Sequence, residues 1–344
     1  MKEKGKKGKL GKITAFITAV ALLLCPLSLA ACKKDGKNTV RLCEVTHSIF
    51  YAPLYIAMNN GYFEDEDINI KLSNGGGADK VMTAVISGSA DIGLMGPEAT
   101  IYCHVEGQRN YPVIFGQLTK RDGSFLVGRT DEPDFDWASL SGKHILAGRA
   151  GGVPAMTLQW VLNQNGVSTD DSSLFDTSIA FDAMVGAFES DSSIDYTTMF
   201  EPTASEYVAS GKGYIVASVG EASGEVPYTA FSAQKSWLDK NNDTAKAFLR
   251  AVLRGYKYMK DNTPEVVAKS LTASFAGTSE SSIAAAVKSY LAIDAWADSP
   301  VMAKTAFERL QDIMENAGTL SERADYSLAV DNTIANELVA ELEL

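Results

Sequence analysis

The chain has 344 residues, of which 46% are hydrophobic and 22% are charged, so it is too apolar to be a disordered chain. A formal net charge of −12 excludes a typical nucleic-acid binder, which needs a basic surface to displace counterions. Four cysteines are too few for a disulfide scaffold. At about 150 residues per domain, the length predicts about two domains.

The first 31 residues have the composition of an export signal. Six lysines in the first twelve residues precede an apolar stretch over 13–24, which is too short to span a bilayer because a spanning helix needs about 20 residues. The stretch Leu29–Cys32 resembles a bacterial lipobox, in which small residues precede a cysteine that carries diacylglycerol. We therefore predict a signal peptide over 1–31, a lipid on Cys32 and a polar tether over 32–38. The alternative is an ordinary secretory signal.

The rest of the chain is strongly acidic. Because the signal contains six lysines and one glutamate, the remainder has 25 basic and 42 acidic residues, a net charge of −17. Two acyl chains would hold it stably on the outer face of the bacterial cell membrane. Cys43 and Cys103 remain after the signal. Export permits a disulfide between them, while their apolar segments favour two buried free thiols.

Predicted strands and helices alternate along this remainder, which is typical of a parallel sheet covered by helices. The first block predicts strands at 40–45, 68–72, 91–95 and 111–117, with helices over 51–60, over 78–87 and from Pro97. The second block predicts strands at 125–129, 143–147, 196–200, 214–218 and 226–231, with helices over 154–164, 181–188 and 202–210. Beyond Ser236 the apolar spacing predicts only helices, over 245–259, 264–274, 281–293 and 300–317. Two such blocks and a helical tail indicate an α/β protein with two lobes.

Motifs of the common enzyme classes are absent from the sequence. It contains no Gly-x-Ser-x-Gly, no His-Glu-x-x-His, no phosphate-binding loop and no complete dinucleotide fingerprint. Its three histidines, His47, His104 and His144, lack the spacing of metal ligands, so we predict neither a metal nor a cofactor. The sequence therefore carries no signal of an enzyme.

Five turns that follow predicted strands are candidates for ligand contacts, because helix N-termini and free N–H groups converge at that edge of an open sheet. The candidate residues in and near these turns are His47, Ser48, Phe50, Tyr51, Gly76, Gly77, Pro97, Glu98, Gly151, Gly152, Phe200, Glu201 and Tyr228. Each turn also has an explanation in local chemistry, since glycines supply positive φ and prolines begin helices. Three turns fall in the first block and two in the second, which favours a cleft between two lobes.

Four groups of residues share the pattern of one known family. They are Phe50–Ala57 with Gly61–Glu64, Ser87–Gly93 with Gly96–Glu98, Leu140–Lys143, and Phe200–Pro202. The first two resemble the motifs APL-x-x-A … KGFF-x-E-x-G and SG-x-ADI … GP. The third resembles L-K-G-K with one departure, and the last resembles W-E-P with Phe in place of Trp. The family comprises the substrate-binding proteins of ABC importers for sulfonates, taurine, nitrate and thiamine-pyrimidine precursors, and the likeness covers about 40–320.

The resemblance implies a type II periplasmic-binding-protein fold with a ligand cleft between two lobes. One lobe would comprise 39–120 and 230–344 and the other 121–229, with hinges near 117–124 and 224–228. The resemblance also implies a monomer that captures a small molecule and delivers it to ABC permease subunits. A surface sensor would have the same fold. A pyrimidine-synthesising enzyme of the same superfamily carries a cysteine-rich stretch, which this sequence lacks.

The residue types at the predicted cleft indicate the chemistry of the ligand. Glu98 and Glu201 could accept hydrogen bonds from an amino group or a cation. The rings of Phe50, Tyr51, Phe200 and Tyr228 could stack on a flat heterocycle. This set predicts a neutral or cationic nitrogen compound, such as a thiamine-pyrimidine precursor. If both glutamates only cap helices, free helix N–H groups could instead hold a sulfonate or a nitrate-like anion.

Overall fold

Ten strands form two five-stranded sheets within residues 38–342, which are the residues that the computed structural model describes. The strands are β1 (Asn38–Glu44), β2 (Ile68–Asn74), β3 (Ile92–Met95), β4 (Pro112–Thr119), β5 (Ser124–Gly128), β6 (Ile145–Leu146), β7 (Phe175–Asp176), β8 (Tyr196–Phe200), β9 (Tyr214–Ser218) and β10 (Thr229–Gln234). The predicted signal peptide, the lipid on Cys32 and all but the last residue of the predicted tether lie outside the described residues.

Fifteen α-helices surround these sheets in the described part of the chain. They are α1 (Ala52–Asn59), α2 (Tyr62–Asp65), α3 (Ala78–Ile86), α4 (Glu98–Val105), α5 (Val153–Gln164), α6 (Met184–Ser190), α7 (Thr203–Ala209), α8 (Val219–Ser223), α9 (Lys235–Lys240), α10 (Asn242–Asp261), α11 (Pro264–Leu271), α12 (Glu280–Ala292), α13 (Lys304–Asn316), α14 (Tyr326–Ala329) and α15 (Thr333–Leu342). Short 3₁₀ helices occupy Ile49–Tyr51, Trp137–Leu140 and Phe181–Ala183. None of the helices within 38–342 is long and apolar enough to cross a bilayer.

Both sheets mix parallel and antiparallel strands. The first has the order β2-β1-β3-β10-β4, in which β1 runs parallel to β2 and β3, while β10 runs antiparallel to β3 and β4. The second has the order β7-β6-β8-β5-β9, with β6 parallel to its neighbours and β5 antiparallel to its own. All four residues of β3 are buried, as expected for a strand with helices on both faces. We call the part built on the first sheet lobe I and the part built on the second lobe II.

The chain crosses between the lobes twice, and the two crossing segments lie side by side. Residues 120–123 lead from β4 to β5, and residues 224–228 lead back to β10. The N–H of Val226 donates to the carbonyl of Lys120 at 2.8 Å, and the N–H of Tyr228 donates to that of Thr119 at 3.1 Å. These segments coincide with the predicted hinge positions, and their movement as hinges stays a prediction.

The C-terminal helices contact both lobes. In lobe I, α10 packs against α1, and a Cβ on Gly255 would lie only 2.1 Å from the carbonyl oxygen of Pro53, so this approach needs glycine. Toward lobe II, α12 contacts α7 and α13 contacts α5. The Arg309 guanidinium of α13 donates to the carbonyl of Ser223 at 3.0 Å and lies over the Trp160 ring. The helical tail therefore joins the two lobes.

The main hydrophobic core is continuous through both lobes, with a second cluster under the second sheet and a third around α3. Cys43 and Cys103 both belong to the cluster around α3, where they are buried free thiols. Burial raises the pKa of the Cys103 thiol to about 11. Both cysteines therefore act as small apolar core residues rather than as a disulfide.

Candidate ligand-binding cavity

A cavity of about 600 Å³ lies where the carboxyl ends of strands from both lobes face each other. Lobe I lines it with residues from the turns after β1, β2 and β3, and lobe II with residues from the segments after β6 and β7. Tyr228, on the second crossing segment, completes the wall. The volume is that of an ordinary small-molecule site, and the location is the sheet edge where α/β proteins bind ligands.

Six of the thirteen candidate residues line this cavity. They are Tyr51, Gly76, Gly77, Glu98, Gly152 and Tyr228. Gly76 and Gly77 lead from β2 into α3, Glu98 begins α4, and Gly152 precedes α5. Four of these residues thus lie at strand-to-helix turns, two in lobe I before α3, one in lobe I at α4 and one in lobe II.

Glu98 is the buried charge of the wall. Its side chain is 2% exposed, and its Oε2 atom has no hydrogen-bond partner among residues 38–342. Burial raises the pKa of this carboxyl to about 7, against the opposing effects of nearby backbone N–H groups and of Arg149. The group therefore changes charge near neutral pH and has an oxygen available to a ligand.

Two buried tyrosines flank this carboxyl. Burial, and after it the charges of neighbouring carboxylates, raise the pKa of Tyr51 and of Tyr228. The Tyr228 hydroxyl has no hydrogen-bond partner in the described part of the chain, and the same is true of Oδ2 of Asp122. Burial also raises the pKa of Asp122, on the first crossing segment, to about 7. The wall near the crossing segments is thus polar, acidic and aromatic.

The other glutamate candidate, Glu201, does not line the cavity. Its carboxylate accepts hydrogen bonds from the N–H of Ser205 at 3.0 Å and from the Ser205 hydroxyl at 2.7 Å. Both oxygens are therefore engaged at the start of α7, which matches the helix-capping alternative for this residue. Its neighbour Phe200 packs edge-on against Phe50, with ring centroids 5.9 Å apart. Phe50 is 2% exposed and belongs to the core.

His47 also lies outside the cavity wall. Its Nδ1 atom is 2.9 Å from Oε1 of Glu44, and its Nε2 atom is 2.7 Å from the carbonyl oxygen of Ser274. Since both partners accept, the ring donates at both nitrogens, and the hydrogen bond to Glu44 raises the His47 pKa. The second oxygen of Glu44 accepts from the Tyr55 hydroxyl. This histidine therefore ties the β1 turn to the C-terminal helices.

The remaining three candidates have local roles. The Ser48 hydroxyl accepts from the N–H of Phe50 at 3.2 Å and caps the 3₁₀ helix. Pro97 immediately precedes α4. Gly151 has a φ of 71°, and its carbonyl accepts from the Tyr102 hydroxyl of lobe I at 3.2 Å. That last hydrogen bond joins the lobes beside the cavity.

Seventeen of the 23 lining residues were not among the candidates, and three of them, Asp79, Arg149 and Phe181, make side-chain contacts at the cavity. Asp79 of lobe I and Arg149 of lobe II form an ion pair across the cavity, with Nε 3.5 Å from Oδ1. Phe181 is 37% exposed on the segment after β7, and its ring packs edge-on against Phe200 with centroids 5.4 Å apart. The glycine-rich turn at 148–152 marks the region of Arg149. Phe181 follows a two-residue strand that no periodic pattern reveals.

Within 38–342, no group of three or more His, Cys, Asp or Glu side chains is arranged to hold a metal ion. The cavity thus offers a buried carboxyl, phenol hydroxyls, an exposed ring and one guanidinium. This arrangement has the hydrogen-bonding groups and rings that a small-molecule site needs. Together with the two-lobed fold, it defines a substrate-binding protein of the type that serves ABC importers.

The chain belongs to the NMT1/THI5-like family, whose pattern matches residues 49–266. It is 36% identical over 323 residues to a Bacillus subtilis (strain 168) protein named "Putative binding protein YtlA", and the match covers 94% of this chain and 96% of that protein. Given this family and this relative, the chain is a binding protein and not an enzyme.

Solved structures share the fold. The alkanesulfonate-binding protein SsuA of Xanthomonas axonopodis pv. citri, bound to MOPS, superposes with a TM-score of 0.70 at 15% identity, covering 87% of this chain and 99% of that one. The nitrate-binding protein NrtA of Synechocystis PCC 6803 superposes with a TM-score of 0.70 at 18% identity, covering 90% of each chain. These neighbours confirm the expected periplasmic-binding-protein fold.

Proposed function

We propose that the protein is the extracytoplasmic substrate-binding component of an ABC importer and that its ligand is a small, nitrogen-containing aromatic compound similar to a thiamine-pyrimidine precursor. The observation that carries this proposal is the Glu98 carboxyl, which is buried in the cavity wall and has one oxygen without a hydrogen-bond partner among residues 38–342. A buried carboxyl oxygen without a partner is costly, and a ligand N–H would supply the missing hydrogen bond.

The rest of the wall suits a flat heterocycle. Tyr51 and Tyr228 present buried phenol groups beside Glu98, and Phe181 presents an exposed ring at the lobe II side. Few polar groups among aromatic surfaces are typical of sites that orient a planar ligand. Closure of the lobes at the predicted hinges would place the ligand between them, because a ligand that contacts both lobes favours the closed state.

A second candidate ligand is an organic sulfonate or a nitrate-like anion, and Arg149 favours it. The guanidinium lines the cavity, and no side chain in the described residues caps the N-terminus of α5 beside it. A helix N-terminus and an arginine together attract anions. In this case Glu98 would have to be neutral or displaced.

The proposal includes the cellular context. Lipid anchoring through Cys32 would hold the protein at the outer face of the cell membrane, and delivery to ABC permease subunits would complete import. A monomer suffices, since residues of one chain line the cavity. The predicted lobe boundaries, 39–120 with 230–344 against 121–229, place one face of the cavity on each side.

A thermal-shift screen of the purified full-length protein tests the ligand class. One panel contains substituted 4-aminopyrimidines, thiamine and flavins, and the other contains taurine, alkanesulfonates and nitrate. A ligand at a hundredfold excess over its Kd adds about 2.7 kcal/mol to the free energy of unfolding and raises Tm visibly. We expect stabilisation by the aminopyrimidines, lost in Glu98→Gln and kept in Glu201→Gln. Stabilisation by the second panel alone would contradict the proposed ligand.

A further inference from the structure

Positive ends of two helices and one guanidinium converge on Glu98. The carboxyl belongs to the first residue of α4 in lobe I, and α5 of lobe II begins at Val153. Backbone N–H groups of Glu98, Ala99 and Val153, together with the charge of Arg149, all favour the ionised carboxylate. Neither helix has a side-chain cap among residues 38–342. Positive groups from both lobes therefore surround the Glu98 carboxyl.

We propose that Glu98 is a built-in anion, which occupies the position that a ligand anion would take and so selects the charge of the ligand. While this carboxylate is ionised and in place, the site accepts a ligand that presents N–H groups or positive charge. An anionic ligand enters only when Glu98 is neutralised or displaced. The inference rests on the proposed function, because it concerns the same cavity.

The position of the carboxylate depends on Gly96. A Cβ on residue 96 would lie 1.9 Å from Oε2 of Glu98 and 2.7 Å from its carboxyl carbon. Two non-bonded heavy atoms cannot approach so closely. Only glycine at position 96 therefore lets the Glu98 side chain fold back over the turn. Substitution of Gly96 by alanine therefore displaces the carboxylate and keeps its charge, because the side chain that must move is flexible.

The charge of Glu98 is sensitive to pH near neutrality. Burial raises its pKa to about 7. The groups that face it from the elements around it are Arg149, the phenols of Tyr51, Tyr102 and Tyr228, and its own helix N-terminus. The other charged residues of the wall are Asp79, Lys80 and Asp182. Since the three phenol pKa values are raised, these phenols stay neutral between mildly acidic and mildly alkaline pH, whereas Glu98 changes charge. Asp122, on the first crossing segment beside Tyr228, also has a pKa raised to about 7, and it is unchanged in every variant compared below.

Ethanesulfonate is a suitable probe, since it stays an anion throughout this range. Calorimetry on the full-length protein at about pH 5.5 and about pH 8.5 should show that the wild type binds the probe at least about tenfold more tightly at the lower pH. Glu98→Gln should bind it with the tighter affinity at both pH values. Glu201→Gln, a matched removal of one buried carboxylate, should behave as the wild type. Equal binding by the wild type at both pH values, or binding by neither protein, would overturn the proposal.

A ligand-free measurement gives a second test. The carbon-13 resonance of the Glu98 carboxyl, assigned by its loss in Glu98→Gln, should titrate near pH 7 in the wild type and at least about one unit lower in Gly96→Ala. The same midpoint in Gly96→Ala as in the wild type would show that the turn at Gly96 does not fix the carboxylate and would refute the inference. Failure of the proposed function is distinguishable from this result. If aminopyrimidines do not bind while the ethanesulfonate and titration results hold, the ligand class is wrong and the role of Glu98 stands.

Discussion

Each lobe has a buried glutamate beside a proline, after the central strand of its sheet, and the two glutamates differ in what their carboxylates contact. Glu98 follows Pro97 at the start of α4, and Glu201 precedes Pro202 at the start of α7. Both are almost fully buried, at 2% and 1% exposure. Both oxygens of Glu201 accept hydrogen bonds from Ser205, while Oε2 of Glu98 has no partner in the described part of the chain.

The residue four positions later accounts for the difference. After Glu201 that residue is Ser205, whose N–H and hydroxyl both reach back to the carboxylate. After Glu98 it is Tyr102, whose hydroxyl donates instead to the carbonyl of Gly151 across the lobes. A buried carboxylate that its own helix satisfies is a structural group. One that its helix leaves unsatisfied is available to a ligand.

The largest expected effect is on stability, through Glu98→Gln. The pKa of Glu98 in the folded protein is about 7, above the ordinary glutamate value of 4.5, because the carboxyl is buried. Burial therefore favours the protonated form, and the stability that this group contributes is lost as pH rises through 7. The difference of about 2.5 units corresponds to roughly 3 kcal/mol. Glu98→Gln should therefore raise the free energy of unfolding by up to about 3 kcal/mol at pH 8 and change it little at pH 4.5.

Urea denaturation of both proteins across this pH range is the measurement. Asp122, the other carboxyl whose pKa is raised to about 7, is present in both proteins, so its contribution cancels in the difference. An increase in the free energy of unfolding of the same size at every pH would show that Glu98 does not titrate as a buried group. The proposed difference between Glu98 and Glu201 would then be wrong.

Nine of the ten strands, all but β7, were predictable from the sequence because alternating apolar residues and turn glycines act locally. The prediction for β9 coincides with Tyr214–Ser218. The last strand was predicted at 226–231 and lies at Thr229–Gln234. The difference arises because Val226 donates to Lys120 of the first crossing segment and Tyr228 donates to Thr119 at the end of β4. The segment at 226–228 therefore has the apolar pattern of a strand but lies outside the sheet.

Three of the six predicted residues that line the cavity, Gly76, Gly77 and Glu98, lie where a turn directly follows a strand. The ends of parallel strands share one edge, so such turns meet whatever the details of packing. The orientation of a side chain does not follow from this rule. Glu201 turns toward its own helix, and Phe181 reaches the cavity from a segment of 3₁₀ helix that the sequence pattern assigns to the helix over 181–188.

A smaller effect on stability is expected when the hydrogen bonds between Glu201 and Ser205 are weakened. Glu201→Gln and Ser205→Ala each weaken the hydrogen bonds at the start of α7, so each should lower the free energy of unfolding by about 1–2 kcal/mol. Urea denaturation measures this loss. Calorimetry with an aminopyrimidine should give the same Kd for both variants and the wild type. A large loss of affinity in either variant would mean that the Glu201 carboxylate also contacts the ligand. The two glutamates would then not differ in the way described above.

The smallest effect concerns Arg149, whose guanidinium is shared between Asp79 and the site of Glu98. The Asp79–Arg149 pair spans the lobes, but its side chains are 54% and 45% exposed, so solvent screens their attraction. A double-mutant cycle of Asp79→Asn and Arg149→Gln should give a coupling energy below about 1 kcal/mol that vanishes at high salt. Because Asp79→Asn leaves Arg149 free to interact with Glu98, the Glu98 titration midpoint should fall in that variant. An unchanged midpoint would show that Arg149 interacts with Asp79 but not with Glu98. The helix N-termini would then be the only positive groups that act on Glu98.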